Sequence, residues 1–292
     1  MNQKIIFALG FFDGVHLGHQ ALLKACRELA EQNNCRAGVV TFTAHPDALV
    51  LGNAPALVNT IGNRVRLLEQ FGMDVVALPF DKAMQNMLWQ EFIQMLQEEY
   101  GAAGFVCGHD FRFGYRGEGT ASILQGYCKD AGVPCAVVPE QVIDGVTVSS
   151  THIRNLIADG QMTRAVKLLG HPHILSGVVT EGKQLGRTIG FPTANLPLPD
   201  GVLIPKFGVY ATKVTVDGKT YPAVTNIGTR PTVNGQGVNA ECHLLDFAGD
   251  LYGKEITVAF YAFIRPEQKF DSLEELKNQI AADAEKVKTI LR

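Results

Sequence analysis

The feature that most constrains this chain is a change of pattern part-way along it. Over the first half, short and nearly continuous apolar runs alternate with stretches of helical period. The runs are KIIFAL (4–9), AGVVTF (37–42), DVVALPF (74–80), GFVCG (104–108) and CAVVP (135–139). Strands that are apolar on both sides and separated by helices describe a parallel sheet covered on both faces. Between them, Leu22, Cys26, Leu29 and Ala30 share one helical face, and Phe92, Met95, Leu96 and Tyr100 share another. In such a sheet, ligands bind beyond the carboxyl ends of the strands, where loops lead into helices.

After about residue 170 the pattern becomes strands punctuated by turns, with Asp-Gly in VDGK (216–219) as a hairpin signal. One long helix closes the chain. Ser272 and Glu275 form a capping-box pattern ahead of the stripe Leu273, Leu276, Ile280, Ala284, Val287 and Leu291. This half reads as a small antiparallel barrel or sandwich with a helix beside it. The join falls in LLGHPHILSG (168–177), where Gly170 ends a helix and Pro172 prevents its resumption. The expected domains are therefore 1–170 and 171–292.

A length of 292 residues, 46% hydrophobic and 19% charged, suits two globular domains and argues against disorder. The net charge of −3 gives no general attraction to nucleic acid or to an anionic membrane. No apolar run approaches the ~20 residues of a bilayer span, and the N-terminus lacks a signal-peptide layout. Six scattered cysteines without C-x-x-C spacing read as free thiols. The expectation is a cytoplasmic protein, a monomer or weak homo-oligomer, with small-molecule partners only.

Against that background, ALGFFDGVHLGHQ (8–20) stands out, because His16 and His19 lie three apart where a strand hands over to a helix. As a metal site the pair needs a third ligand, and the glutamate of H-E-x-x-H is absent. As plain structure it is a glycine turn capping a helix. As a nucleotide site, Gly10, Gly14 and Gly18 let the backbone approach a phosphate beside Asp13. The helix N-terminus then supplies oriented N–H donors, and the histidines donate to phosphate oxygens. The residues alone leave these readings open. They do exclude a Walker A loop and a G-x-G-x-x-G fingerprint.

A second candidate site lies in EGKQLGRTIGFPTANL (181–196), glycine-rich and basic, with Gly186 in a phosphate-cradling position. Gly177 to Lys183 mimics G-x-x-x-x-G-K, but Gln184 replaces the Ser/Thr that a P-loop needs. Thr193 and Asn195 are hard oxygen donors suited to Mg²⁺ and phosphate. In NAECHLLDF (239–247), alternation puts Glu241, His243 and Leu245 on one face and Cys242, Leu244 and Asp246 on the other.

H-x-G-H directly after a first strand resembles the signature of the nucleotidylyltransferase superfamily. The fuller FDGVHLGHQ is similar to the N-terminal module of bacterial bifunctional riboflavin kinase/FAD synthetases. The resemblance continues through VVTFTAHP (39–46), GHDFRFGYRGEG (108–119), VSSTHIRNLIADG (148–160) and GRTIGFPTANL (186–196). It then runs through GVYATKV, NIGTRPTV, ECHLLDF and RPEQKFDSLEELK, in the family's own order. It implies a Rossmann-like nucleotidylyltransferase domain followed by an antiparallel β-barrel riboflavin kinase domain with a C-terminal helix.

The resemblance also implies roles. His16 and His19 hold the ATP phosphates during FMN adenylylation, Ser150 and Thr151 donate at a helix N-terminus, and Arg154 reaches the departing phosphates. Asp110, Phe111, Phe113 and Arg265 contact flavin, although Phe111 and Phe113 equally suit core positions. Glu241 is the kinase base, and Mg²⁺ binds through Thr193 and Asn195. The implied substrates and products are ATP, riboflavin, FMN and FAD. The chain departs from the family pattern at Phe11 (usually Asn), His152 (often Arg) and Asp110 (often Asn). Competing readings are one active half with a flavin-binding regulatory partner, a non-catalytic flavin sensor, and a zinc hydrolase.

Overall fold

Each of the five apolar runs becomes a strand, and together they form one parallel sheet. The strands are β1 (Ile5–Leu9), β2 (Arg36–Phe42), β3 (Asp74–Leu78), β4 (Ala102–Gly108) and, after the short ladder β5 (Arg112–Phe113) with β6 (Gly119–Thr120), β7 (Cys135–Val138). This computed structural model describes residues 4–181, 191–232 and 235–292, apart from the side chains of 230–236. Two units emerge, Met1–Ala56 with Ile61–Ser149, and Leu57–Thr60 with Ser150–Arg292.

In the first unit the sheet order is β3-β2-β1-β4-β7. The chain moves outward from β1 in one direction and resumes at β4 on the other side. The carboxyl ends of β1 and β4 therefore flank a topological switch point, where open α/β sheets bind ligands. One face of the sheet is closed by Phe7, Leu9, Phe92, Leu96, Phe105 and Leu124, all buried. On the helix α1 (Leu17–Gln32) the buried stripe is Leu23, Cys26 and Ala30. Leu23 takes the place expected for Leu22, because adjacent leucines differ only in which one the sheet turns inward.

The second unit opens with helices Ser150–Ala158 and Met162–Leu169, the latter ending at Gly170 in the left-handed region (φ 74°) as expected. A two-residue ladder, β8 (Val142–Ile143) with β9 (Val146–Thr147), precedes them at the end of the first unit. The barrel strands are β10 (His173–Val178), β11 (Ala194–Pro197), β12 (Gly208–Val216), β13 (Lys219–Thr232), β14 (Gly235–Leu244) and β15 (Glu255–Arg265). They pair antiparallel in the order β10-β15-β12-β13-β14-β11.

The Thr180 amide donates to the Asn195 carbonyl at 2.8 Å and nearly closes this sheet into a barrel. The approach depends on Gly177, where a Cβ would stand 2.8 Å from Leu196 Cδ1. Asp217 and Gly218 both hold positive φ (48° and 74°), the primed turn expected of an Asp-Gly hairpin.

The C-terminal helix (Leu273–Ile290) lies against the outer face of β12 and β13, with Val287 packed on Val209, Ala211 and Val224. Its cap is half of the expected box. Ser272 Oγ accepts the Glu275 amide, while Glu275 reaches back to Asp271 instead of Ser272. Leu273 is exposed, and a carboxylate, Asp283, is buried on the inner side of the helix. All six cysteines are free, and no described helix is long and apolar enough to cross a membrane.

Candidate active sites

The turn from β1 into α1 is built under strain. Phe12, Gly14 and Val15 hold φ of 58°, 81° and 41°, and for a β-branched residue that is a genuine outlier. Full burial of the Phe12 and Val15 side chains and a Val15 N–H bond to the Phe12 carbonyl (3.1 Å) hold it. Strain that a fold maintains in this way clusters at active sites and ligand clamps. Gly10 ties the turn to the sheet through the Val40 carbonyl, and the Thr41 hydroxyl donates to the Phe11 carbonyl at 2.8 Å. Asp13 is buried within it.

His16 caps α1, its Nδ1 accepting the His19 amide at 3.3 Å. An accepting Nδ1 carries no proton, which places the imidazole N–H on Nε2. Gly18 makes room for this ring, since a Cβ there would come within 3.1 Å of His16 Cε1 and Nδ1. The rings of His16 and His19 stack at 3.6 Å and 14°. Burial, then the neighbouring His16 ring, then Arg64 hold His19 well below the ordinary imidazole range. The ring is therefore neutral at neutral pH. The first turn of α1 carries no acidic residue to neutralise the positive end of the helix dipole.

On the β4 side, Phe111 and Phe113 stack at 5.3 Å and line a cavity of about 720 Å³ with Phe42, Phe80, Met84 and Phe92. Asn86, Arg112 and Arg116 give it polar points. Phe113 is buried and Phe111 half-buried, so the pair is both core and wall. Asp110 is exposed outside that lining, its carboxylate folded back over Gly108. Ser150, Thr151 and Arg154 belong to the second unit, where Arg154 Nη1 donates to the Thr151 hydroxyl at 3.2 Å.

In the barrel, register creates a row that sequence order hides. Asn195 of β11 faces Glu241 of β14, which faces Asn226 of β13. Directly opposed residues share a face. A cavity of about 310 Å³ beside this row, walled by the C-terminal helix, takes in Thr193, Asn226, Glu241, His243 and Arg265. The expected alternation holds, because Cys242 and Leu244 line a different cavity of about 570 Å³, where Thr193 appears again. Arg265 forms a two-point pair with Asp283 (Nε–Oδ2 3.0 Å, Nη2–Oδ2 2.9 Å), which anchors the helix over the first of these cavities. Gly186 lies outside the described residues.

Three contributors were not singled out from sequence. Arg64, Asn226 and Asp283 enter through tertiary packing, and only Asn226 lies within a quoted motif, NIGTRPTV. No cluster of three or more His, Cys, Asp or Glu able to hold a metal occurs among the described residues.

The FAD synthetase family model matches residues 1–152 and the riboflavin kinase model residues 169–291. A bifunctional riboflavin kinase/FMN adenylyltransferase of Escherichia coli K12 is 42% identical over 97% of this chain and 91% of its own length. The chain belongs to the bifunctional riboflavin kinase/FMN adenylyltransferase family. The Bacillus subtilis member is 34% identical over 96% of this chain and 90% of its own. A Streptococcus pneumoniae crystal structure described as a macrolide-efflux protein superposes with a TM-score of 0.88 at 32% identity, covering 99% of this chain and 95% of that one. In this bifunctional family member the histidine turn falls within the FAD synthetase span, and the Asn195–Glu241–Asn226 row within the riboflavin kinase span.

Proposed function

We propose that the two activities of this family are carried by the two sites described, adenylylation at the histidine turn and phosphorylation beside Glu241. The observation that supports the reading is that the histidine turn and the Asn195–Glu241–Asn226 row fall in two separately matched spans. In the first unit the apolar cavity receives the FMN ring system, with Phe111 and Phe113 as its wall. Polyphosphate lies at the tip of α1 against Gly10, Asp13, Gly14 and Gly18. The terminal phosphate oxygen of FMN attacks the α-phosphorus of ATP, a P–O bond forms, and pyrophosphate leaves. His16, through Nε2–H, and His19 donate to phosphate oxygens as charge shifts toward the leaving group. Ser150, Thr151 and Arg154 are assigned to the leaving phosphates on their motif and the arginine fork. Asp110 is kept as a flavin contact on resemblance.

In the second unit, riboflavin takes the cavity under the C-terminal helix and the nucleotide takes the one lined by Cys242 and Leu244. Thr193 belongs to both, so the γ-phosphate and the attacking hydroxyl meet there. Glu241 accepts the proton of the ribityl 5′-hydroxyl, whose oxygen attacks the γ-phosphorus and releases ADP. Arg265 stands at the flavin end, and Gly186 is assigned to the ATP phosphates.

Thr193 and Asn195 fit Mg²⁺, since both offer hard oxygens next to Glu241 and Asn195 is buried. They are too few for a full shell, which suits an ion delivered with ATP. Bound there, Mg²⁺ neutralises phosphate charge. The catalytic modules are taken to divide at 170/171.

Riboflavin and Mg·ATP supplied together, with flavins resolved by chromatography over time, test the assignment. FMN appears first and FAD follows. Glu241→Ala abolishes FMN formation but retains FAD formation from supplied FMN, whereas His16→Ala or His19→Ala accumulates FMN. One substitution that stops both steps in a folded chain refutes independent sites.

A further inference from the structure

Arg64 has no part in either reaction as described, yet it lies where the two halves of the adenylylation site meet. It sits on the helix α3 (Ile61–Gln70; α2 is the short helix Pro46–Val50) and is fully enclosed, although arginine is among the residues least often buried. Its Nη2 donates to the Phe42 carbonyl at the end of β2. Its Cζ stands 4.1 Å above the Phe11 ring, which on its other contact meets His45 edge-on at 4.7 Å. Nε and Nη1 are buried and hydrogen-bond to nothing among the described residues. Burial pulls the guanidinium down to about 10, with the Asp13 carboxylate acting against the fall, so it stays charged at neutral pH.

Enclosing a permanent charge with two nitrogens unpaired is costly, and stacking on one ring offsets only part of that cost. Folds tend to break such local rules at functional sites. The neighbours of Arg64 indicate which function. Phe11 and Asp13 belong to the phosphate turn, while Phe42 lines the aromatic cavity. One rigid side chain thus ties the turn to the cavity wall. The planar guanidinium stacks by its face while donating along its edge, a combination an ammonium group cannot reproduce. Phe11, where the family usually has Asn, is the ring that makes the stacking possible.

We propose that Arg64 is a positioning residue for adenylyl transfer, holding the phosphate turn and the flavin cavity at the separation that aligns the FMN phosphate with the α-phosphorus of ATP. This rests on the assignment of FMN to that cavity and polyphosphate to the turn. Because Arg64 is enclosed, it acts through Phe11, Asp13 and Phe42.

The test measures FAD formation from supplied FMN and Mg·ATP by the full chain, so that kinase turnover does not enter. For Arg64→Met, kcat falls roughly 10- to 100-fold while the KM values for FMN and ATP stay within about threefold, the pattern of lost alignment with each subsite intact. Arg64→Lys, which keeps the charge without the planar fork, loses at least about fivefold in kcat on the same argument and covers the case in which the methionine variant fails to fold. Unchanged kcat in a folded variant, or a rise in KM with kcat preserved, overturns the proposal. His19→Ala runs in parallel. If it leaves FAD formation intact, the placing of the phosphate site is wrong, whatever Arg64 does.

Discussion

Gly18 shows how a single hydrogen atom in place of a methyl leaves room for a ring at the α1 tip. The space a Cβ needs is taken by the His16 ring, which must hold its Nδ1 against the His19 amide to keep its proton on Nε2. Gly18→Ala is expected to displace that ring by a few tenths of an ångström and to lower kcat for FAD formation by roughly tenfold, since alignment errors of this kind are steeply penalised. Riboflavin phosphorylation stays unchanged, and chromatography of both products from one chain makes the comparison. His16 and His19 were legible in sequence because the spacing, the cap and the glycine are all local. Arg64 was not, because its meaning depends on Phe11, Asp13 and Phe42, which reach it only through the sheet.

At the scale of elements, the C-terminal helix does more than cover apolar surface. The sequence shows its stripe and cap, but Asp283 interrupts the apolar logic of the inner face. Its reason is Arg265, eighteen residues earlier on β15, with both oxygens engaged and the carboxylate almost fully buried. Removing one member of a buried pair leaves the other uncompensated, at about 3 kcal/mol when the survivor keeps some solvent access. Asp283→Ala is therefore expected to lower the melting temperature and to raise the KM for riboflavin, because the helix walls that cavity. FAD formation from FMN should hold its wild-type rate below the melting transition. Calorimetry with separate assays of the two steps checks this, and loss of both activities together would show that the pair matters beyond the barrel.

At the scale of the whole molecule, the histidine turn and the Asn195–Glu241–Asn226 row lie in different units, and FMN made at one is expected to reach the other through solution. A mixture of His19→Ala and Glu241→Ala chains is expected to convert riboflavin to FAD, with a lag that shortens as total protein rises. Failure of the mixture, with each chain active in its surviving step, would require FMN to pass within one polypeptide. Sequence alone determined the parallel sheet, a turn-punctuated antiparallel second half, the Asp-Gly hairpin and the histidine turn, because each is written in periodicity, turn chemistry or spacing over a few residues. Tertiary structure alone decided the Asn195–Glu241–Asn226 row, the Arg265–Asp283 clamp and the enclosure of Arg64. Those depend on strand register and on packing between distant segments, which no local pattern encodes.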